Sequence, residues 1–175
     1  HAMEAVYIRD LRDRVGDVVT LQGWVANKRE GKGLAFVVLR DGTGFVQCVI
    51  SEHEIGAEAF APSGDLSLET SVRLTGTVVA DDRQIGGVEL QVTAFEIMGA
   101  SVDYPISKKE HGVDFLVQNR HLWLRSSRQW AIMQVRNATI FAIHRFFQER
   151  GFVQMDAPVF TGNACEGTTD LFETE

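Results

Sequence analysis

The stretch that decides the fold runs from residue 127 to residue 172: SRQWAIMQVRNATIFAIHRFFQER (127–150), then GFVQMDAPVF (151–160), then TGNACEGTTDLF (161–172). At roughly 100° per residue, Ile132, Met133, Val135, Ile140, Ile143, Phe146 and Phe147 spread over about half of a helix circumference. That is wider than one buried seam requires, so the spacing predicts a helix packed against two neighbours. Arg136 falls inside the apolar arc, where an unpaired charge would be costly, and is expected to find a partner on a second subunit or in the preceding hinge. Gly151 is placed to end the helix, because it accepts the left-handed backbone that a Cβ penalises. A strand then runs to Pro158, whose missing N–H stops a ladder.

Upstream, the first hundred residues read as β-structure. Residues 18–25 alternate in strand fashion, and Asn27 to Gly33 is a polar, glycine-bearing turn. Strands are predicted at 34–39 and 45–50, joined by the tight turn Asp41-Gly42-Thr43-Gly44. A looser stretch, 51–68, is read as a short helix or loop, followed by strands at 71–79 and 88–95. Five strands with a helix or loop after the third predict an OB-fold, a closed Greek-key barrel whose sheet face commonly holds oligonucleotides.

Residues 101–126 shift toward basic and irregular composition, with Pro105, Lys108, Lys109, Arg120, His121 and Arg125, and read as a hinge. The organisation is therefore a barrel over 1–100, a hinge over 101–126, and the opening of a second, α+β domain over 127–175.

The 175 residues are 45% hydrophobic with a formal net charge of −7, which is ordinary for a globular chain and argues against indiscriminate nucleic-acid binding. Any RNA contact must be local. Cys48 and Cys165 are distant and belong to no CxxC pair, so neither a zinc knuckle nor a disulfide framework is expected. The histidines have no metal-ligand spacing, His144 lies on the helix's polar arc, and Cys165 has no nearby histidine to activate it. No apolar run of about 18 residues and no leader is seen, so a cytoplasmic protein without membrane contact is expected. His1-Ala2 ahead of Met3 reads as a cloning remnant.

Long helix, Gly-Phe, strand and Pro together resemble motif 1 of the class II aminoacyl-tRNA synthetases. Cys165 to Phe172, with Tyr104-Pro105-Ile106-Ser107-Lys108-Lys109-Glu110-His111-Gly112 and Asn119 to Ser126, is similar to the asparaginyl enzymes in particular, the aspartyl enzymes being near relatives. The resemblance covers the chain after Met3. It implies ATP-dependent joining of asparagine to its tRNA by a longer, homodimeric enzyme that uses magnesium. The two later ATP motifs of that family do not occur before Glu175, so the chain is expected to be an N-terminal portion that forms no adenylate, binds no cofactor and holds tRNA weakly.

By the same resemblance, Phe36 stacks under the central anticodon base while Arg29, Gln47 and Glu89 contact base edges or backbone. Lys28, Lys32, Lys108, Lys109 and Arg120 are possible grips on the tRNA backbone. Glu166 takes the α-ammonium group of the amino acid, a charge-assisted bond replacing its hydration. Arg136, Ile140, Phe147 and Pro158 fall in the dimer interface. The residues themselves leave plainer readings open: Phe36 as barrel core, Gln47 and Glu89 as exposed strand positions, the hinge cations as solvated surface, Glu166 as a surface carboxylate. An aspartyl enzyme, including one that charges both tRNAs, and a stand-alone OB-fold RNA-binding or dimerisation module remain the alternatives.

Overall fold

A computed structural model of the chain describes residues 5–107 and 109–160. The chain forms two compact units, His1–Lys108 and Lys109–Glu175. In the first, five strands close into a barrel in the order β1-β2-β3-β5-β4: β1 (Val18–Gly31), β2 (Leu34–Arg40), β3 (Phe45–Ser51), β4 (Ser71–Ala80) and β5 (Val88–Gly99). Every neighbouring pair is antiparallel except β3 with β5. Two short helices, α1 (Glu52–Ile55) and α2 (Ala57–Phe60), and a 3-10 turn over Ala61–Asp65 connect β3 to β4.

Alternation explains the core. Ala35, Val37 and Leu39 of β2, Val46, Cys48 and Ile50 of β3, Val72, Leu74 and Val78 of β4 and Leu90 and Val92 of β5 point inward and are buried. Each fully buried aliphatic side chain contributes about 1.5–3 kcal/mol. Leu66, arriving from the 3-10 turn, and Leu11, from a 3-10 helix over Ile8–Arg14, are buried with them. Cys48 is enclosed with them, and burial pushes its thiol well above the ordinary range, so it serves as a small apolar filler.

Strand β1 is shared. Residues 18–24 pair with β4 and 24–31 with β2. The edge that β2 leaves open at the start of β1 is met by the N-terminal segment, where Ala5 bridges Thr20 in parallel and Val6 N donates to Thr20 O at 3.0 Å. Asp41, buried at the end of β2, fixes this segment. Its Oδ2 accepts from Ile8 N at 2.8 Å, and its Oδ1 accepts from Thr43 N, Thr43 Oγ1 and Gly44 N. One carboxylate thus orders both the β2–β3 turn and the N-terminal helix.

The predicted turn over 27–33 shrinks to the two residues Lys32 and Gly33, with Gly31 opposite Leu34 and Gly33 at φ +67°. Residues 27–30 are polar because the hairpin projects past the closed core, not because the chain turns there. A bulge between Val25 and Asn27 keeps the outward side of β1 in phase along this extension. The other strands run one to four residues beyond their predicted ends.

In the second unit, α3 (Val113–Gln118) and α4 (Arg120–Trp123) lie within the stretch read as an irregular hinge. Helix α5 (Ser127–Gln148) follows, with Ser126 Oγ accepting from Gln129 N at its start. It ends as expected: Gly151, at φ +81°, donates to Gln148 O, Phe152 N reaches back to Phe147 O, and the Phe147 and Phe152 rings meet edge to face at 5.3 Å. Two expectations change. The apolar surface of α5 is wider than the arc, since Trp130 and Phe141 lie outside it, and none of its residues is buried. Residues 152–158 join no ladder, because a strand exists only through hydrogen bonds to a neighbour and no described residue supplies one.

Closure of the barrel predicts an intolerant glycine. A Cβ on Gly76 would lie 2.1 Å from Gln91 O, a backbone atom that cannot yield. Gly76→Ala is expected to lower the unfolding free energy by about 3 kcal/mol in a denaturant titration; unchanged stability would show that β4 and β5 do not approach in this way.

Candidate nucleic-acid interface

The outward residues of four strands form a continuous face, and strand register puts the predicted anticodon residues in two adjacent rows. Arg29, Phe36, Val49 and Gln91 are successive cross-strand partners on β1, β2, β3 and β5. Asn27, Val38, Gln47 and Glu89 form the next row. Residues far apart in sequence become neighbours because β3 and β5 pair in parallel, unlike the other strand pairs of the barrel.

Phe36 alternates with the buried Ala35 and Val37, so it sits on the outside, half-buried, and not in the barrel core. Its cross-strand partner Arg29 is exposed and lays its guanidinium over the ring, 5.4 Å from the centroid. This is a cation–π contact at an exposed site, worth about 0.5–1 kcal/mol, that stiffens a flat apolar platform. Gln47 Nε2 donates to Glu89 Oε2 at 3.3 Å, and Gln91 Nε2 approaches Glu89 Oε1 at 3.5 Å. Glu89 thereby holds two amides beside the platform, each with unspent donors and acceptors for a base edge. Gln91 was not singled out from the sequence; the parallel pairing that places it could not be read from periodicity.

The loop between β4 and β5 rises beside the same row. There Arg83 grips Asp81 through two bonds, Nε to Oδ1 at 2.9 Å and Nη2 to Oδ2 at 3.0 Å. The Arg83 guanidinium, with help from the Arg83 backbone N–H, holds the Asp81 carboxyl down at about 2.

The cations of the hairpin separate. Lys28 points the other way from Arg29 and spends its three N–H donors internally: on Ser63 O and Gly64 O, both at 2.9 Å, and on Glu30 Oε1 at 2.7 Å. It staples the hairpin to the β3–β4 connection, and no donor is left for a phosphate. Lys32 stands exposed at the hairpin tip. Lys109 and Arg120 are exposed in the second unit. Lys108, Cys165 and Glu166 lie outside the described residues. Ile140, Phe147 and Pro158 are exposed, and Arg136 is exposed on α5 with no ion pair among the described residues.

Among the described residues no three His, Cys, Asp or Glu side chains gather to hold a metal ion, and no helix is long and apolar enough to cross a membrane.

Comparison with known proteins agrees with this geometry. Residues 19–98 match the family described as OB-fold nucleic acid binding domain, and residues 112–175 match tRNA synthetases class II (D, K and N). From residue 112 on, the chain is thus similar to the class II aminoacyl-tRNA synthetases of this D, K and N group. Within it, the chain is homologous to asparagine–tRNA ligases: it is 51% identical to that of Streptococcus suis, over 97% of this chain and 40% of the relative, and 50% identical to that of Lactococcus lactis, over 98% and 40%. The asparaginyl-tRNA synthetase of Pyrococcus horikoshii complexed with asparaginyl-adenylate superposes with a TM-score of 0.85 at 31% identity, covering 98% of this chain and 40% of that one. The aspartyl enzyme of Entamoeba histolytica, at 21% identity and a TM-score of 0.78 over 89% of this chain and 39% of that one, shares the fold. The chain thus spans about two fifths of the length of these relatives.

Two substitutions separate the hairpin lysines. Lys32→Ala should lower the slope of log affinity against log salt for a tRNA by about 0.7, whereas Lys28→Met should leave the slope unchanged and lower the melting temperature. The reverse pattern would mean that Lys28 releases its internal acceptors to reach RNA.

Proposed function

We propose that this chain is the N-terminal part of an asparagine–tRNA ligase, in which the barrel reads the anticodon and the second unit opens the catalytic domain. The observation that carries the reading is the placement of Arg29, Phe36, Gln47 and Glu89 on one outer face of the barrel, in a chain that is 51% identical to an asparagine–tRNA ligase over 97% of its length.

The chemistry of that face suits an unpaired base. A base splayed out of the anticodon loop loses its stacking neighbours, and the Phe36 ring under Arg29 replaces one of them. Specificity then comes from donors and acceptors at the edge of the stacked base, and Gln47 and Gln91, oriented by Glu89, supply both kinds. A pyrimidine mismatched to these groups would leave buried polar atoms unpaired, and that penalty is what discriminates. Lys32, with Lys108, Lys109 and Arg120, would add sequence-independent phosphate contacts.

In the whole enzyme the carboxylate of asparagine attacks the α-phosphorus of ATP, giving the adenylate and pyrophosphate. A ribose hydroxyl at the tRNA 3′ end then attacks the acyl carbon and AMP leaves. Magnesium, when bound, would neutralise the charge on ATP. Glu166 would hold the α-ammonium group of asparagine. The apolar surface of α5, with Arg136, Ile140, Phe147 and Pro158, is the face on which a second copy of the enzyme would dock.

The test is RNA binding by the chain, with short anticodon stem-loops of tRNA-Asn. Phe36→Ala should weaken binding by about 1–3 kcal/mol while leaving the melting curve nearly unchanged, since the ring lies outside the core. Replacing the central anticodon base should weaken it similarly in the parent protein and not further in the variant. Equal affinity for all loops would refute anticodon reading. The chain alone should catalyse no asparagine-dependent pyrophosphate exchange, and robust exchange would refute the division of labour.

A further inference from the structure

The arrangement at Phe36 occurs a second time on the same outer face. Trp24 of β1 lies directly opposite Arg40 of β2, and the Arg40 guanidinium sits over the indole, 5.9 Å from its centroid. The cross-strand pairing of aromatic and arginine is that of Arg29 and Phe36 with the strands exchanged. From Phe36 to Arg40 is four strand residues, or about 13 Å along the face. The intervening row is Asn27, Val38 and Gln47. The bulge between Val25 and Asn27 keeps Trp24 on the outward side with Arg29, although the two lie an odd number of positions apart.

This second step is built, not incidental. Arg40 is mostly buried and locked to Glu69 by two bonds, Nη1 to Oε1 at 2.7 Å and Nη2 to Oε2 at 2.8 Å. Glu69 holds this position with a backbone φ of +67°, a conformation that a side chain disfavours. The guanidinium therefore fixes one side of the indole and is not free to grip a phosphate. Trp24 nonetheless remains 41% exposed, a large fraction for a side chain so heavily supported. It opens into a cavity of about 400 Å³ lined also by Tyr7, Gln22, Ser71 and Met98, of which Tyr7 and Met98 are more than half exposed.

We propose that Trp24 is a second stacking platform for the RNA that the barrel binds, taking a nucleotide of the same loop a few residues from the base on Phe36. The proposal rests on the anticodon reading, because the occupant is argued from continuity with that face. A strand of RNA laid along β1 and β2 from Phe36 passes over Val38 and reaches Trp24 next. Every base has a π-face, so a second platform fixes the path of the RNA without adding sequence preference. Gln22 and Ser71 at the cavity wall would meet the sugar or the base edge. Arg40 and Glu69 are positioning residues that hold the indole flat.

The chain has three tryptophans, Trp24, Trp123 and Trp130, so Trp123→Phe with Trp130→Phe leaves Trp24 as the sole indole emitter. The emission is followed while a labelled anticodon stem-loop of tRNA-Asn is titrated in, with its anisotropy recorded in the same cuvette. Quenching that saturates with the anisotropy change is the expected result. In the otherwise unaltered chain, Trp24→Ala should weaken binding about tenfold and Trp24→Phe much less. If the RNA binds and depends on Phe36 while Trp24 emission stays constant and Trp24→Ala binds normally, the second platform is overturned and the anticodon reading stands. If no stem-loop binds at all, both are overturned.

Discussion

The barrel closes because β1 serves two partners, and it can do so only where the backbones crowd together without side chains between them. A Cβ on Gly23 would lie 2.4 Å from Arg40 O, and one on Gly76 would lie 2.1 Å from Gln91 O. These two glycines sit where β1 passes from β4 to β2 and where β4 bends along β5 at a bulge between Thr75 and Gly76. A small closed barrel needs tilt and bend that regular strands do not supply, and glycine at the bends lets one chain approach another. Arg40 and Gln91, the residues whose carbonyls are approached, also belong to the outer face on which RNA contact is proposed. The geometry of closure and the geometry of that face are thus set by the same contacts.

Once the barrel is closed, its two surfaces carry separate tasks. Inward positions are aliphatic and supply the stability, so outward positions are released from packing and can carry Phe36, Gln47, Glu89 and Trp24. The usual difficulty with outward aromatics is that they are mobile and invite association. Here each is steadied by an arginine on the neighbouring strand, Arg29 over Phe36 and Arg40 over Trp24. Charge-assisted hydrogen bonds to the backbone do similar work elsewhere, with Lys28 tying the hairpin to carbonyls of the 3-10 turn and Asp41 tying the N-terminal segment to the β2–β3 turn. The net negative charge is consistent with this division: several of the cations nearest the face are structural, leaving few to act on phosphate.

The second unit is organised by the opposite logic. Helix α5 has apolar side chains over more of its circumference than one neighbour could cover, and Phe152, Val153 and Met155 beyond it are exposed. Its local chemistry is complete, with a serine at the start, a glycine at the end and a phenylalanine pair across the final turn. Its tertiary chemistry is not contained in the described residues. This is why the helix and its cap are present where the sequence placed them, whereas the strand expected over 151–158 is absent.

Much of this was written in the chain order alone. Alternating apolar residues located five strands, four of them to within four positions and the first short by six at its hairpin end; Gly151 marked the end of the long helix, and the wording around motif 1 pointed to the class II synthetases, because these signals depend on neighbours within one element. What sequence could not decide was set by pairing between elements. That Phe36 faces outward, that Gln47 and Glu89 touch although 42 residues apart, that Gln91 joins them and that Lys28 turns inward to carbonyls all follow from register. Register is fixed by which strands meet, by bulges and by a parallel contact, none of which leaves a periodic trace in the sequence. The sequence by itself located the barrel strands and the long helix and carried the family resemblance; only the closed barrel determined which side chains share a face, since a shift of one residue along any strand would have sent them to the other side.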